Sequence, residues 1–241
     1  MTTFDRVLTR QLRADSGRPL ITFYDDATGE RVELSVTTYA NWVAKTASLL
    51  VEEHDLERGQ RLCVDLPAHW LGPVLLGAAW TAGLVVTAPA DGDADAVVCG
   101  PASLDRWAPL ADGLPVLACS LLPLGVRFAD PLPPGVHDVG VEVWSQPDAF
   151  TPYDPPGADD PATGASYGGL TQGELWSTAA AGSLLTDGGR LLTEANPASP
   201  PGVATFTEPL VRGGSLVLVS HAEPGRLEAT YAAERATARF P

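Results

Sequence analysis

The sequence contains a single lysine, Lys45, among its 15 basic residues. A phosphate-binding loop of the Walker type needs a lysine directly after a glycine, because that lysine neutralises phosphate charge. Lys45 lies inside an amphipathic helical pattern with no glycine near it, so it cannot have this role. The dinucleotide fingerprint Gly-x-Gly-x-x-Gly is also absent. The chain is therefore not expected to perform nucleotide chemistry alone, and we expect no nucleophilic serine of the hydrolase type.

Cysteine is scarce, and the start of the chain carries no export signal. Cys63, Cys99 and Cys119 lie in apolar runs whose spacing fits neither a zinc site nor a disulfide framework, which predicts buried thiols in strands. Residues 1–6 show no basic segment followed by an apolar run, so a secretory signal is not expected. The apolar stretch 66–90 is interrupted by three prolines and three glycines, which argues against a membrane span.

Positive charge is the scarcer sign, since 30 acidic residues against 15 basic ones give a net charge of -15. Such a surface repels phosphate backbones and anionic lipid, so neither nucleic acid nor a membrane is an expected partner. Hydrophobic residues are 45% and charged residues 19% of the chain, a composition typical of a globular protein. We therefore expect a cytoplasmic location.

Residues that could carry chemistry are few and scattered. The four histidines, His54, His69, His137 and His221, form no His-x-His or His-x3-His ligand pair, and we expect no catalytic or metal role for them. The pair Asp159–Asp160 lies in a Pro/Gly-rich stretch, which favours a solvated turn or a helix cap over a metal site. The sequence thus predicts no catalytic residue, no cofactor-binding residue and no metal ligand.

Short apolar runs alternate with helical periods, which predicts an α/β fold with doubly wound, mostly parallel sheets. The first two runs flank a turn-forming cluster and predict a hairpin. The predicted strands are Leu20–Tyr24, Arg31–Ser35, Arg61–Leu66, Leu84–Ala88, Ala96–Cys99, Val116–Cys119, Arg190–Thr193 and Ser215–Ser220. The predicted helices are one capped by Ser35, Leu71–Ala82, Ser103–Leu110, one from the Thr171–Glu174 capping box to about Leu185, one near Val203–Val211, and Pro224–Phe240.

The composition changes in the middle of the chain and predicts three parts. Residues 1–150 form an N-terminal α/β subdomain, and residues 170–241 form a second α/β subdomain. Residues 151–169 contain four prolines, four glycines and three aspartates, which is typical of a linker or a loop.

Several segments, taken in order, resemble the N-terminal region of the adenylate-forming superfamily of acyl-CoA synthetases, peptide-synthetase adenylation domains and luciferases. Residues 15–90 and 159–241 carry most of this resemblance. The matching segments are the helix from Ser35, Leu56–Pro67, His69–Val86, Thr171–Leu175, Pro209–Leu218 and Glu234–Thr237. Within the superfamily, the chain resembles an actinobacterial family of truncated acyl-CoA synthetase-like proteins. The resemblance implies the fold of the N-terminal subdomains.

The chain departs from this family at the sites of chemistry. The family's phosphate loop ends in Pro-Lys-Gly, whereas here Asp160–Ala162 is followed by the shortened loop Thr163–Gly169, which has no lysine. Ser199 stands where the resemblance implies a histidine of the acyl pocket. The resemblance also implies an adenine motif, a ribose-binding aspartate and a C-terminal lid domain with a catalytic lysine, and we expect the protein to lack them. Because such groups stabilise charge on the α-phosphate, adenylation should be slower by many powers of ten.

We therefore expect a truncated, catalytically inactive acyl-CoA synthetase-like protein with a binding or accessory role and no cofactor. A protein partner or a second copy would dock near residues 151–169 and the last helix. Two alternatives stay open: a non-catalytic protein that binds nucleotide or acyl-CoA, and one subunit of a split adenylate-forming ligase. An α/β domain of unrelated role is the remaining alternative.

Overall fold

Ten strands form two five-stranded sheets in residues 2–241, which the computed structural model describes. Their bounds are β1 (Pro19–Asp25), β2 (Glu30–Ser35), β3 (Arg61–Asp65), β4 (Val85–Thr87), β5 (Ala96–Cys99), β6 (Val116–Ala118), β7 (Val136–Asp138), β8 (Arg190–Thr193), β9 (Ser215–Ser220) and β10 (Ala238–Phe240). One sheet has the order β10-β8-β9-β1-β2 and the other β4-β3-β5-β6-β7. Neighbouring strands are parallel in both sheets, except in the β1–β2 hairpin.

Eight α-helices in the described residues connect and cover these strands. They are α1 (Phe4–Asp15), α2 (Val36–Ser48), α3 (Leu71–Ala82), α4 (Leu104–Trp107), α5 (Val139–Glu142), α6 (Gln172–Ala181), α7 (Ala204–Val211) and α8 (Pro224–Ala233). The predicted α/β class with mostly parallel sheets is confirmed. No helix within residues 2–241 is long and apolar enough to cross a membrane.

The two sheets do not divide the chain at one point in the sequence. The β1–β2 hairpin precedes the whole β3–β7 sheet, yet β1 pairs with β9 through partners such as Ile21 and Leu216. Both β1 and β9 are mostly buried apolar runs, as is usual for strands of parallel sheets. Their sequences therefore do not indicate which sheet they join. The boundaries 1–150, 151–169 and 170–241 stay a prediction.

Local signals fixed the limits of several helices as predicted. The Ser35 hydroxyl accepts a hydrogen bond from Thr38 N at 3.1 Å and caps α2. At α6, Thr171 and Glu174 form both hydrogen bonds of a capping box. Gly83 ends α3 with φ +77°, a conformation that a side chain would strain. Helix caps can therefore be predicted from the sequence, because each cap depends on residues within one turn.

The last helix is shorter than predicted. The α8 helix ends at Ala233, and residues 238–240 form β10 beside β8, where the sequence predicts helix to Phe240. Arg235 takes a left-handed φ of +51°, which breaks the helix. Thr237 N then donates to Arg190 O at 2.8 Å, and Arg190 N donates to the Thr237 hydroxyl at 2.9 Å. A sheet edge thus captures residues that would otherwise extend the helix.

Two other helical predictions are corrected in part. The α6 helix ends at Ala181 instead of Leu185, because Gly182 is extended and the Glu208 carboxylate accepts a hydrogen bond from Leu184 N at 2.9 Å. The segment predicted as helix 103–110 contains only one α-helical turn, α4, between two 3-10 turns. Neither α1 nor β7 is among the elements that the sequence pattern predicts.

A single core cluster joins the helices at the centre of the molecule. The rings of Phe4, Trp80 and Trp176 lie 5.4–5.9 Å apart between centroids. Gln172 links them, since its Oε1 accepts from Phe4 N at 3.1 Å and its Nε2 donates to Trp80 O at 3.0 Å. Trp80 Nε1 in turn donates to Ala162 O at 3.1 Å, which ties the shortened loop to the core.

Helices α2 and α3 approach closely at Gly77, where a side chain cannot fit. A Cβ atom there would lie 2.2 Å from Tyr39 Oη and 2.8 Å from Phe4 Cζ and Val43 Cγ2. All of α3 except Thr81 is buried, so the helix cannot move outward to relieve such a clash.

We expect Gly77→Ala to lower the free energy of unfolding by about 2 kcal/mol, because overpacked cores lose about 1–3 kcal/mol. Urea denaturation followed by far-UV circular dichroism measures this change. Gly225→Ala is the matched control, since its Cβ would meet no heavy atom within 4 Å in the first turn of α8. An unchanged urea midpoint for Gly77→Ala would show that α2 and α3 separate without cost.

Candidate functional site

The shortened loop, Thr163–Gly169, closes on itself beside the carboxyl end of β4. Ala162 N and Thr163 N both donate to Leu170 O, at 2.9 and 3.1 Å. Gly164 N donates to Val86 O at 2.7 Å, so the loop starts as an extension of the sheet. Gly168 has φ +96° and lets the chain reverse. The loop is thus held at both ends by backbone hydrogen bonds.

An acidic side chain, Asp91, accepts hydrogen bonds from polar groups of this loop. The Asp91 carboxylate accepts hydrogen bonds from Ser166 N and the Ser166 hydroxyl, both at 2.8 Å, and from Ala88 N at 2.9 Å. Burial raises the pKa of Asp91, but the hydrogen bonds from Ala88 and Ser166 outweigh burial and leave the pKa below its ordinary value. Asp91 is therefore a fixed negative charge within the shortened loop.

Tyr167 turns inward from the same loop and fills the space behind it. Its side chain is buried, and its hydroxyl donates to Ala198 O at 2.7 Å. Asn196 Nδ2 donates to Leu66 O at 2.7 Å, and Gly202 N donates to Ser199 O at 2.7 Å. The contact of Tyr167 with Ala198 thus joins the 196–202 segment, which includes Ser199, to the loop, while Asn196 fastens the segment to Leu66.

The pentapeptide Gly164–Gly168 has the Gly-x-Ser-x-Gly spacing of a hydrolase nucleophile, which the sequence interpretation did not expect. The structural context differs from that of a nucleophile elbow. Ser166 lies in a 3-10 turn instead of a strand-to-helix turn, and its hydroxyl donates to Asp91. Within residues 2–241, no hydrogen bond joins Ser166 to a histidine, so the serine–histidine pair typical of such hydrolases is not formed there.

An open cavity of about 410 Å³ lies beside the loop. Arg61, Asp91, Asp93 and Thr163 contribute to its walls. The Arg61 guanidinium is paired with Asp93 at 3.0 Å, so its charge is already balanced. With a second carboxylate from Asp91, the cavity is net negative and disfavours phosphate groups.

The remaining candidate residues from the sequence lie apart from the loop. Asp160 accepts a hydrogen bond from Gly157 N at 2.6 Å, as expected for a turn. His69 is buried with no hydrogen-bond partner for Nε2, and His221 Nδ1 lies 2.9 Å from Asp25. His54 and His137 lie together against one glutamate.

The cysteines are buried and unpaired, as predicted. Cys63 and Cys99 lie in adjacent strands, and burial raises the pKa of both thiols to about 12. Thiols of this kind are protonated at neutral pH and unreactive.

Solved structures with a similar fold include an acyl-CoA synthetase and a benzoate CoA ligase. An acyl-CoA synthetase of Brucella canis superposes with a TM-score of 0.80 at 16% identity, over 99% of this chain and 47% of that chain. A benzoate CoA ligase of Burkholderia xenovorans gives 0.75 at 18% identity, over 98% and 49%. The N-terminal domain of FACL13 from Mycobacterium tuberculosis gives 0.72 at 17% identity, over 98% and 62%.

These neighbours define the class of protein: the chain has the fold of the N-terminal region of an acyl-CoA synthetase and spans about half the length of such enzymes. No protein-family model matches the chain. A protein of Mycobacterium tuberculosis described as a TIGR03089 family protein is 37% identical over 240 residues, covering 96% of this chain and 95% of that protein. The chain belongs to the TIGR03089 family.

Proposed function

We propose that this protein acts by binding, as an accessory protein without adenylate-forming activity. The observation that carries the proposal is the Asp91 carboxylate, which takes the hydrogen bonds of Ser166 N and the Ser166 hydroxyl. In an adenylate-forming enzyme, donors at this loop would face the phosphates of ATP. Here an internal anion uses them, and the loop supplies no lysine to offset a second anion.

The surroundings of the loop support the same conclusion. Asp91 and Asp93 contribute two carboxylates to the adjacent cavity, against the single guanidinium of Arg61. Tyr167 and Ala198 fill the space on the inner side of the loop. A triphosphate would have to displace Asp91 and enter a negative field, and both steps are unfavourable.

We expect calorimetric titration of the purified protein with millimolar ATP, AMP, CoA or acyl-CoA to show no saturation. We also expect no pyrophosphate release with ATP and a panel of carboxylic acids, assayed beside an active acyl-CoA synthetase. Asp91→Asn removes the charge next to Ser166 and should give saturable ATP binding in the millimolar range, which the unaltered protein lacks, still without turnover, because the lysine is absent.

Asp93→Asn is the matched control for charge. Asp93 lies two residues away, but its side chain is 85% exposed, so solvent screens it and its removal should change ATP affinity less. Saturation of the unaltered protein by micromolar ATP, or pyrophosphate release above background, would contradict the proposal. It would favour the alternative of a nucleotide-binding or catalytic subunit.

A binding role requires a protein partner or a second copy of the chain. Five large apolar side chains between residues 122 and 144 are exposed, and they offer apolar surface to a partner. They are Leu122, Leu124, Val126, Val141 and Trp144. Light scattering over micromolar concentrations separates the two cases. A mass that rises above 25.2 kDa supports self-association, and a constant 25.2 kDa assigns the role to another protein.

A further inference from the structure

Two histidines and one glutamate meet at the outer edge of the β3–β7 sheet, away from the shortened loop. His54 Nε2 lies 3.1 Å from Glu142 Oε2, and His137 Nδ1 lies 3.0 Å from Glu142 Oε1. The two imidazole rings are 4.4 Å apart between centroids and nearly perpendicular, at 78°. Within residues 2–241, this is the one group of three such side chains whose ligand atoms all lie within 4.8 Å.

Three different elements place these side chains. Helix α2 continues into a π-helical turn, Leu49–Glu53, and His54 follows directly. His137 lies in β7, the edge strand of its sheet, and Glu142 ends the short helix α5 that follows β7. A π-helical turn widens the helix by one residue, is uncommon and is frequent at functional sites. It carries His54 to the β7 edge.

The donor set matches a borderline transition-metal ion. Two imidazole nitrogens with one carboxylate oxygen are the ligands of several zinc enzymes, which keep a fourth position for water. Two ligands at about 2.1 Å from a tetrahedral ion lie about 3.4 Å from each other. The two nitrogen-to-oxygen distances, 3.1 and 3.0 Å, are already close to that separation.

We propose that His54, His137 and Glu142 bind one divalent transition-metal ion of the zinc class, with water completing its coordination.

The burial of the three side chains suits a site that an ion can enter from one side. The His54 side chain is 5% exposed and is held in place by its surroundings. His137 and Glu142 are 41% and 30% exposed, which leaves a path for the ion and for water.

A second layer of contacts steadies the cluster. The Ser145 hydroxyl donates to Glu142 O at 2.8 Å, and Gln146 Nε2 donates to Glu53 Oε1 at 3.2 Å, beside His54. The Ser48 hydroxyl donates to Gln146 Oε1 at 2.8 Å. These hydrogen bonds fix the backbone segments that carry His54 and Glu142. Glu53 also adds a negative charge next to His54, which favours a bound cation.

The test is titration of the full chain, freed of metal by chelation, with Zn²⁺ in a calorimeter and with Co²⁺ in a spectrophotometer. We expect one Zn²⁺ per chain, visible absorption typical of tetrahedral Co²⁺, and a melting temperature raised by about 5 °C at saturation. Mg²⁺ should not compete, because it prefers oxygen ligands.

Glu142→Gln and His137→Ala should each weaken Zn²⁺ binding by at least roughly tenfold. Glu142→Gln keeps a hydrogen-bonding side chain between the rings, so it separates ligation from folding, and circular dichroism checks that it is folded. His221→Asn is the matched control, because it removes an exposed histidine that lies 2.9 Å from a single carboxylate, Asp25, and its Zn²⁺ affinity should be unchanged.

Two results would overturn the proposal. One is the absence of saturable Zn²⁺ binding by the unaltered protein. The cluster would then only join His54 to β7 through the hydrogen bonds of Glu142. The other is equal Zn²⁺ affinity in the unaltered protein and folded Glu142→Gln. Neither result bears on ATP binding at the shortened loop, so the two proposals fail independently.

Discussion

Glu234→Ala is expected to lower the free energy of unfolding by about 3 kcal/mol, because removing one partner of a largely buried ion pair leaves the other uncompensated. Glu234 accepts hydrogen bonds from Arg190 and Tyr24, and from Arg31 at 3.1 Å. The Glu234 and Arg190 side chains are only 11% and 16% exposed. Without Glu234, the Arg190 guanidinium keeps its bond to the Thr22 hydroxyl at 2.8 Å but loses its counter-charge.

This network explains the Glu-Arg-x-Thr segment in the sequence. Glu234 contacts side chains from β1, β2 and β8, and Thr237 exchanges hydrogen bonds with the Arg190 backbone. The segment therefore fastens the end of the chain to the first sheet. Its role here is structural, and no phosphate chemistry is needed to account for it.

Thermal and urea unfolding measure the effect of Glu234→Ala, with Glu228→Ala as the matched control on the same helix. Glu228 is paired with Arg239 at 2.7 Å, but its side chain is 73% exposed, so its loss should cost less than about 1 kcal/mol. Equal destabilisation by the two substitutions would show that the Arg190 pair contributes no more than a surface pair.

Acidification from pH 6.5 to pH 4 is expected to remove about 3 kcal/mol of stability through His69 alone. Burial lowers the pKa of His69 from 6.5 to about 4. The ring lies 4.8 Å from Phe23, its Nδ1 accepts from Leu71 N at 3.3 Å, and its Nε2 has no partner. Between these two pH values His69 binds a proton in the unfolded chain but not in the folded chain. The free energy of unfolding therefore falls as the pH falls.

His69→Asn isolates this effect, since asparagine keeps an acceptor for Leu71 N but does not titrate. Urea unfolding at intervals from pH 7 to pH 4 should show a shallower loss of stability for this variant than for the unaltered protein. Parallel slopes for His69→Asn and the unaltered protein would show that His69 already protonates in the folded state.

Two features of the shortened loop support the proposed absence of turnover. The sequence has no lysine between Asp160–Ala162 and Thr171. The structure adds that Asp91, 72 positions before Thr163, accepts hydrogen bonds from Ser166. The proposal thus depends on an internal anion as well as on the lack of a lysine.

Much of the architecture could be predicted because its signals are local. The buried stripe of α2, the capping box at Thr171 and the turn glycine Gly83 each act within one or two turns of chain. Helix α1 is not among the predicted helices, although Phe4, Val7 and Leu8 recur at the spacing of one buried helix face. Strands β7 and β10 have three residues each and, unlike the equally short β4 and β6, they are not continuous buried runs, so they carry no recognisable pattern.

By itself, the sequence determined the α/β class, the buried thiols, the capped helices and the lack of a phosphate-loop lysine. Each follows from composition or from neighbours along the chain. Only the tertiary structure decided that the β1–β2 hairpin joins β9, that Asp91 holds Ser166, and that His54 meets His137 and Glu142. These contacts join residues 75 to about 200 positions apart, and such pairs leave no periodicity in a single sequence, because packing selects them after the local elements form.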